Sequence, residues 1–215
     1  PLLDHSYDDV KEAALDALIA LHTKEVEDYF RQMTKSENDL YRLMGVYGLG
    51  HFDIDRTIDT LTEALDDASP DVRKVAVKAF GKNCPLSEDI LKRVEKKLND
   101  ENSEVRMAVF DTLGLCSDKR FISSLIAGLQ DPDPWVRVRC AGRLGENSVP
   151  QAVEPRINML EDENPLIVIK VIGALCNIGG EAAFKALFPL IDHPDSDIRE
   201  AADEAVNAIH KQAGE

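Results

Sequence analysis

Five histidines and four cysteines are the side chains of this sequence best suited to hold a metal or act as nucleophiles: His5, His22, His51, His193 and His210, and Cys84, Cys116, Cys140 and Cys176. The cysteines lie far apart and form no CxxC pair, so neither a zinc site nor a dense disulfide framework is indicated. Cys140 falls in a column of small core residues and Cys116 in one shared with Ile178 and Ile209, so both read as small apolar fillers. Reduced, partly buried thiols are expected. A catalytic thiol needs a histidine and an acid beside it, and no cysteine here has such a set at a spacing the sequence justifies. His22, His51 and His210 fall near the ends of helical stretches, where a cation is favoured. The glycines are dispersed and build no phosphate-cradling loop. The expectation is a chain without catalytic residues, metal or cofactor.

The bases carry a second pattern. Lys11, Arg42, Arg73, Arg106, Arg137 and Arg199 recur in register, broken once at Val168, and follow turns that carry Asp9, Asp39, Asp71, Glu104 and Asp197. A track for phosphates is one reading, but 25 Lys plus Arg stand against 40 Asp plus Glu, a net charge of −15. That charge repels a phosphate backbone over most of the surface, so nucleic acid is a poor partner. The longest apolar run, from Leu166 to Leu175, is interrupted by Lys170 and too short to cross a bilayer. No membrane segment is expected, and the thiols point to the cytoplasm.

The elements that carry these residues follow from the repeat itself. Segments start at Val10, Tyr41, Val72, Val105, Val136, Ile167 and Ile198, which are 31, 31, 33, 31, 31 and 31 residues apart. Four residues on, the column reads Ala14, Gly45, Ala76, Val109, Cys140, Val171 and Ala202; eight on, it reads Leu18, Leu49, Phe80, Leu113, Leu144, Leu175 and Val206. With small residues at offset 7, offsets 0, 4, 7 and 8 define one apolar stripe of an amphipathic helix, and its small members admit a close neighbour. A second set of apolar columns precedes each, such as Ile58, Leu61 and Leu65, or Leu91, Val94 and Leu98. Between the two helices of a pair lie turns rich in Asp, Asn, Ser and Pro, and after them come Gly50, Gly81, Gly114, Gly145 and Gly179 as end signals.

This spacing predicts helix pairs at 24–35 and 39–51, 54–66 and 70–83, 86–99 and 103–116, 118–130 and 134–147, 149–161 and 164–178, and 180–191 and 196–211. A helix at 9–22 is left with only residues 1–4 as its partner, which implies sequence upstream of Pro1 and homo-association through the exposed half repeat, at Leu2, Leu3, Leu15 and Leu18. Arg199, Glu200, Asp203, Glu204 and Asn207 give the last helix the polar surface of a capping repeat.

Seven in-register copies of Asp or Pro, then Val-Arg, small residues, Leu and Gly resemble the short HEAT-like repeats also found in phycobilisome lyase subunits, over essentially the whole chain. The resemblance implies one all-α domain, 1–215: a right-handed α-solenoid of about seven helix pairs, the first incomplete, with second helices lining a concave face. It implies pairing of the turn acid with the following base between neighbouring repeats. The family also includes a di-iron hydroxylase whose ligands lie in His-Glu dipeptides. Here each histidine is followed by something else, namely Ser6, Thr23, Phe52, Pro194 and Lys211.

Offsets 2 and 6 are expected to point outward on the concave face. In the central repeats they read Leu43 and Tyr47, Lys74 and Lys78, Met107 and Asp111, Val138 and Gly142, Ile169 and Gly173. An exposed apolar strip of this kind marks a binding surface. Arg139, Arg143 and Lys170 intrude on columns of small residues, and Trp135 replaces the usual turn acid beside them. The sequence therefore points to a protein-interaction scaffold whose partner touches Leu43, Tyr47, Lys74, Lys78, Met107, Trp135, Val138, Arg139, Arg143, Ile169 and Lys170. Glu27→Ala, on a first helix, is expected to do little to partner binding. The alternative is a lyase-type or enzyme-associated subunit that holds a chromophore or its acceptor protein, and nucleic-acid binding ranks behind it.

Overall fold

A computed structural model describes residues 3, 5–116, 122–146 and 157–213, and they are helices and turns. The helices are α1 (Asp8–Leu21), α2 (Lys24–Met33), α3 (Asp39–Leu49), α4 (Ile54–Ala64), α5 (Pro70–Gly81), α6 (Glu88–Lys96), α7 (Ser103–Cys116), α8 (Ile122–Gly128), α9 (Pro134–Glu146), α10 (Pro165–Ile178), α11 (Gly180–Leu187) and α12 (Ser196–Ala213). Short 3-10 segments at Lys97–Asn99, Met159–Glu161 and Phe188–Asp192 close three of the first helices. Where the residues are described, these bounds match the expected helices to within a few residues. Pro1, Leu2 and Asp4, the expected helix start at 118–121, the last residue of the helix expected at 134–147, and residues 149–156 of the helix expected at 149–161 lie outside the described residues.

The chain divides into two compact units, Pro1–Cys116 and Ser117–Glu215. In the first, α3 packs on α2 and α5, and α5 packs on α7. In the second, α9 packs on α8 and α10, and α10 and α11 pack on α12. The helices start where side chains relieve unpaired backbone N–H groups: Thr23, Asn38, Asp53 and Asn164 each accept from the first turn, and Pro70 and Pro165 occupy first-turn positions that need no donor.

The predicted stripe is the core. Val72, Ala76, Ala79 and Phe80 of α5 are buried, as are Val105, Val109, Thr112 and Leu113 of α7 and Ile167, Val171, Ala174 and Leu175 of α10. The small members do what their size allows. A Cβ on Gly45 would lie 2.7 Å from the Phe30 carbonyl oxygen, and one on Gly48 would lie 2.6 Å from the Phe30 ring. The fully buried Phe30 therefore requires glycine at both positions on α3.

The basic column forms a ladder, with acids other than the expected ones. Arg42 donates to both carboxylate oxygens of Asp67 at 2.8 and 3.0 Å, Arg73 to Asp100 at 2.8 and 2.8 Å, and Arg137 to Asp162 at 2.8 and 3.1 Å. The remaining Nη1 of each caps carbonyls of its own turn, as Arg73 does at Asp67 and Ala68. The expected acids Asp71 and Glu104 bind Lys74 instead, and Lys11 pairs with Asp8. The reason is local. Asp67, Asp100 and Asp162 head their turns, each accepting the N–H of the residue two further on, and that leaves the carboxylate fork facing the preceding repeat. Burial alone would raise these three carboxyls, but the guanidinium hydrogen bonds, the backbone N–H groups and the nearby positive charge outweigh it and hold all three below the usual carboxylate range.

A buried acid stands on a first helix, and the expectation of reduced thiols fails at two of the four cysteines. Glu27 is buried, with Arg31 at 2.6 Å from Oε1 and Arg56 at 2.6 Å from Oε2, the latter a charge contact without hydrogen-bond geometry. Arg31 also donates to Thr60 and to the Arg56 carbonyl, so Glu27 organises the joint between α2 and α4. Cys84 and Cys116 are joined in a disulfide rather than reduced. They sit at nearly equivalent places in consecutive repeats, 32 residues apart, and packing of α5 on α7 brings their Cα atoms to 5.2 Å, within bridging range. Cys140 is buried and Cys176 half-buried, and neither is in a disulfide.

Candidate functional site

None of the outward-facing positions of the sequence reading is buried; in the central repeats those at offset 2 are half-buried, and those at offset 6 are exposed except Asp111, which is half-buried. In the first unit Leu43, Lys74 and Met107 are half-buried, while Tyr47 and Lys78 are exposed. In the second, Trp135, Arg139 and Lys170 are exposed, and Val138, Arg143 and Ile169 are half-buried. The helix register explains this. Offset 2 sits at the flank of the buried stripe and is partly covered by the neighbouring second helix, whereas offset 6 lies farther from the stripe and is exposed at Tyr47, Lys78, Gly142 and Gly173. The structure brings the five residues of the first unit onto the α3–α5–α7 face and the six of the second onto the α9–α10 face.

Their electrostatics differ from a plain basic patch. Lys74 is held by Asp71 and Glu104, whose hydrogen bonds keep its ammonium above the usual lysine range, so its charge is balanced from within. Tyr47 stands in a small cluster that the sequence reading missed. The His51 ring centroid lies 4.8 Å from the Tyr47 ring, His51 Nδ1 lies 2.9 Å from the Tyr47 carbonyl oxygen, and Lys82 Nζ lies 3.1 Å from His51 Nε2 and 5.7 Å from the Tyr47 ring centre. The Nδ1 contact assigns the proton to Nδ1, which leaves Nε2 to accept from Lys82. His51 and Lys82 are 31 residues apart, one period, so the repeat itself was the available signal.

The second unit offers an open groove of about 630 Å³, lined in part by Gly142, Ile169, Lys170, Gly173, Asn177 and Glu204. Among the described residues a Cβ added to Gly142 or Gly173 would meet nothing within 4 Å, in contrast to the crowded Gly45 and Gly48. Leu166, 53% exposed, stands one repeat after Trp135, 58% exposed, at the same helix-start position, and was also missed. Among the described residues no group of three or more His, Cys, Asp or Glu could hold a metal ion, and no helix is long and apolar enough to cross a membrane. These faces offer aromatic, aliphatic and cationic contacts of the kind that bind another molecule.

Paired helices with a stacked small-residue core, an Arg–Asp ladder and open second-helix faces define a helical-repeat protein. The family model for HEAT repeats matches residues 1–81, 58–127 and 122–207, and the chain belongs to that family. It is similar to an uncharacterized phycocyanin operon protein Z of Pseudanabaena tenuis, 28% identical over 200 residues, which span 88% of this chain and 97% of that one. Among solved structures it resembles the YibA protein of Escherichia coli, with a TM-score of 0.72 and 20% identity over 98% of this chain and 90% of that one. It also resembles the complex of CpcE and CpcF of phycocyanin lyase from Nostoc, with a TM-score of 0.54 and 15% identity over 97% of this chain and 92% of that chain. These structural likenesses establish the fold.

Proposed function

We propose that this chain is a non-catalytic interaction scaffold that holds a partner protein against its second-helix faces. The observation that carries the reading is the unit-2 groove, floored by two mid-helix glycines that nothing among the described residues crowds and bordered by half-buried Ile169 and exposed Lys170 on α10. Glycine inside a helix is destabilising relative to alanine, so its presence where no neighbour demands it fits a surface that something else approaches. Large exposed aromatics at Tyr47 and Trp135 add anchors of the type that dominate binding energy. The test is site-specific photocrosslinking in cells, with the crosslinker at Lys78 and Ile169 on second helices and at Asp28 and Lys92 on first helices. Adducts to one protein from the second-helix positions alone support the reading, and adducts from the first-helix positions alone overturn it.

A second reading draws on the similarity to the phycocyanin operon protein and to a phycocyanin lyase complex: an enzyme-associated subunit that holds a chromophore or its acceptor protein. Titration with a bilin distinguishes the two. The scaffold reading expects an unchanged bilin absorption spectrum, and the subunit reading expects a shifted one.

A further inference from the structure

We infer that the α9–α10–α12 face docks an amphipathic helix of the partner, with acidic side chains toward Arg139 and Lys170 and a basic side chain toward Glu204. This rests on the scaffold reading and specifies the partner's chemistry. The residue before each repeat start reads Asp9, Leu40, Asp71, Glu104, Trp135, Leu166 and Asp197. Two consecutive repeats of unit 2 thus replace the turn acid with Trp135 and Leu166, both more than half exposed. Four residues on, on the same helix face, the other repeats carry Ala13, Met44, Val75, Ala108 and Ala201, whereas these two carry the exposed cations Arg139 and Lys170. Three residues further come the uncrowded Gly142 and Gly173. Adjacent helices α9 and α10 therefore display the same order of groups: large apolar, cation, glycine.

On α12 the face changes sign. Glu204 lines the same groove as Lys170, and Glu200 and Asp203 are exposed beside it. Packed helices lie about 8–10 Å apart, and seven residues of helix advance about 10.5 Å. A helix lying across α9, α10 and α12 therefore presents its residues i, i+7 and i+14 to the three in turn, which calls for acid, acid and base. The glycine floor lets its backbone come close, and apolar residues between the charges pack against Trp135 and Leu166, as in helix-in-groove recognition. An occupant acidic along its whole length is disfavoured by Glu204 and by the net charge of −15.

The experiment uses the full chain and two synthetic 20-residue helical peptides with leucines between the charged positions. One carries Glu, Glu and Lys at seven-residue intervals, and the other carries Lys, Lys and Glu. Fluorescence anisotropy at 50 and 300 mM salt should show the first binding at least tenfold more tightly, with the preference shrinking at high salt. K170E should remove that preference and W135A should weaken binding of the first peptide at least fivefold. K185E, an identical charge change on the first helix α11, should leave it unaltered, with circular dichroism confirming each variant's fold. Equal binding of the two peptides, no binding of the first, or equal effects of K170E and K185E would overturn the proposed chemistry. In each of those cases crosslinks from Ile169 alone would still uphold the scaffold reading, whereas crosslinks from first helices alone would remove both.

Discussion

At Glu27 a carboxylate is taken almost wholly out of water on a helix that the repeat pattern marks as an outer one, and two guanidiniums close around it. Removing one member of a buried charge set leaves the others desolvated without compensation, although Arg31 and Arg56 keep enough exposure to recover part of that cost. Glu27→Ala should therefore destabilise the fold by about 2 kcal/mol, read as a lower urea midpoint at unchanged slope, while the exposed neighbour Asp28→Ala shifts it by less than about 0.5 kcal/mol. The ladder aspartates set the response to acid. Asp67, Asp100 and Asp162 are held below the ordinary carboxylate range in the fold. A depressed folded-state pKa contributes stability above the unfolded value, about 3.9 for Asp, and that contribution is lost as pH falls through the folded-state value. Unfolding free energy should thus be level near neutrality and fall steeply below about pH 4, and Asp100→Asn should flatten that fall while lowering the plateau.

Helices differ in how much of themselves the fold covers. α1 buries Leu15 alone, whereas α7 buries Val105, Arg106, Ala108, Val109, Phe110, Thr112 and Leu113. Local opening costs least where little apolar surface is covered, so amide exchange in α1 should outpace that in α7 by orders of magnitude; equal protection would show that α1 is held by more than the contacts of Leu15. The helix bounds and the apolar columns were legible because a period of 31 averages seven copies of one local rule, and noise at any single repeat cancels. What the period could not convey was which of two turn acids faces the preceding repeat, since Asp67 and Asp71 differ only in which one ties down its own turn. The Cys84–Cys116 bridge and the His51–Lys82 contact were within reach of the sequence, because residues about one period apart become neighbours once second helices stack. Glu27 was not, because its burial depends on Arg56 of the next first helix, whose columns are far weaker than those of the second helices.

For the whole molecule the repeat register is the strongest argument about cooperativity. The step from Val105 to Val136, across the boundary between the two compact units, is 31 residues, the length of every other step but the 33 from Val72 to Val105, and the HEAT match at 58–127 spans that boundary. In arrays of this kind each repeat draws its stability from its neighbours, so an uninterrupted register couples unfolding along the chain. We propose that residues 1–215 unfold as one domain. Calorimetry should give a single transition whose van't Hoff and calorimetric enthalpies agree. Val77→Ala, which empties space beside α7 in the first unit, should lower the midpoint of the whole transition. Circular dichroism would follow both units together, while the intrinsic fluorescence of Trp135, the sole tryptophan, reports on the second. A Val77→Ala variant that splits the melt, with the Trp135 signal unmoved, would mean that the two units fold independently and that the repeats share a sequence pattern without sharing stability.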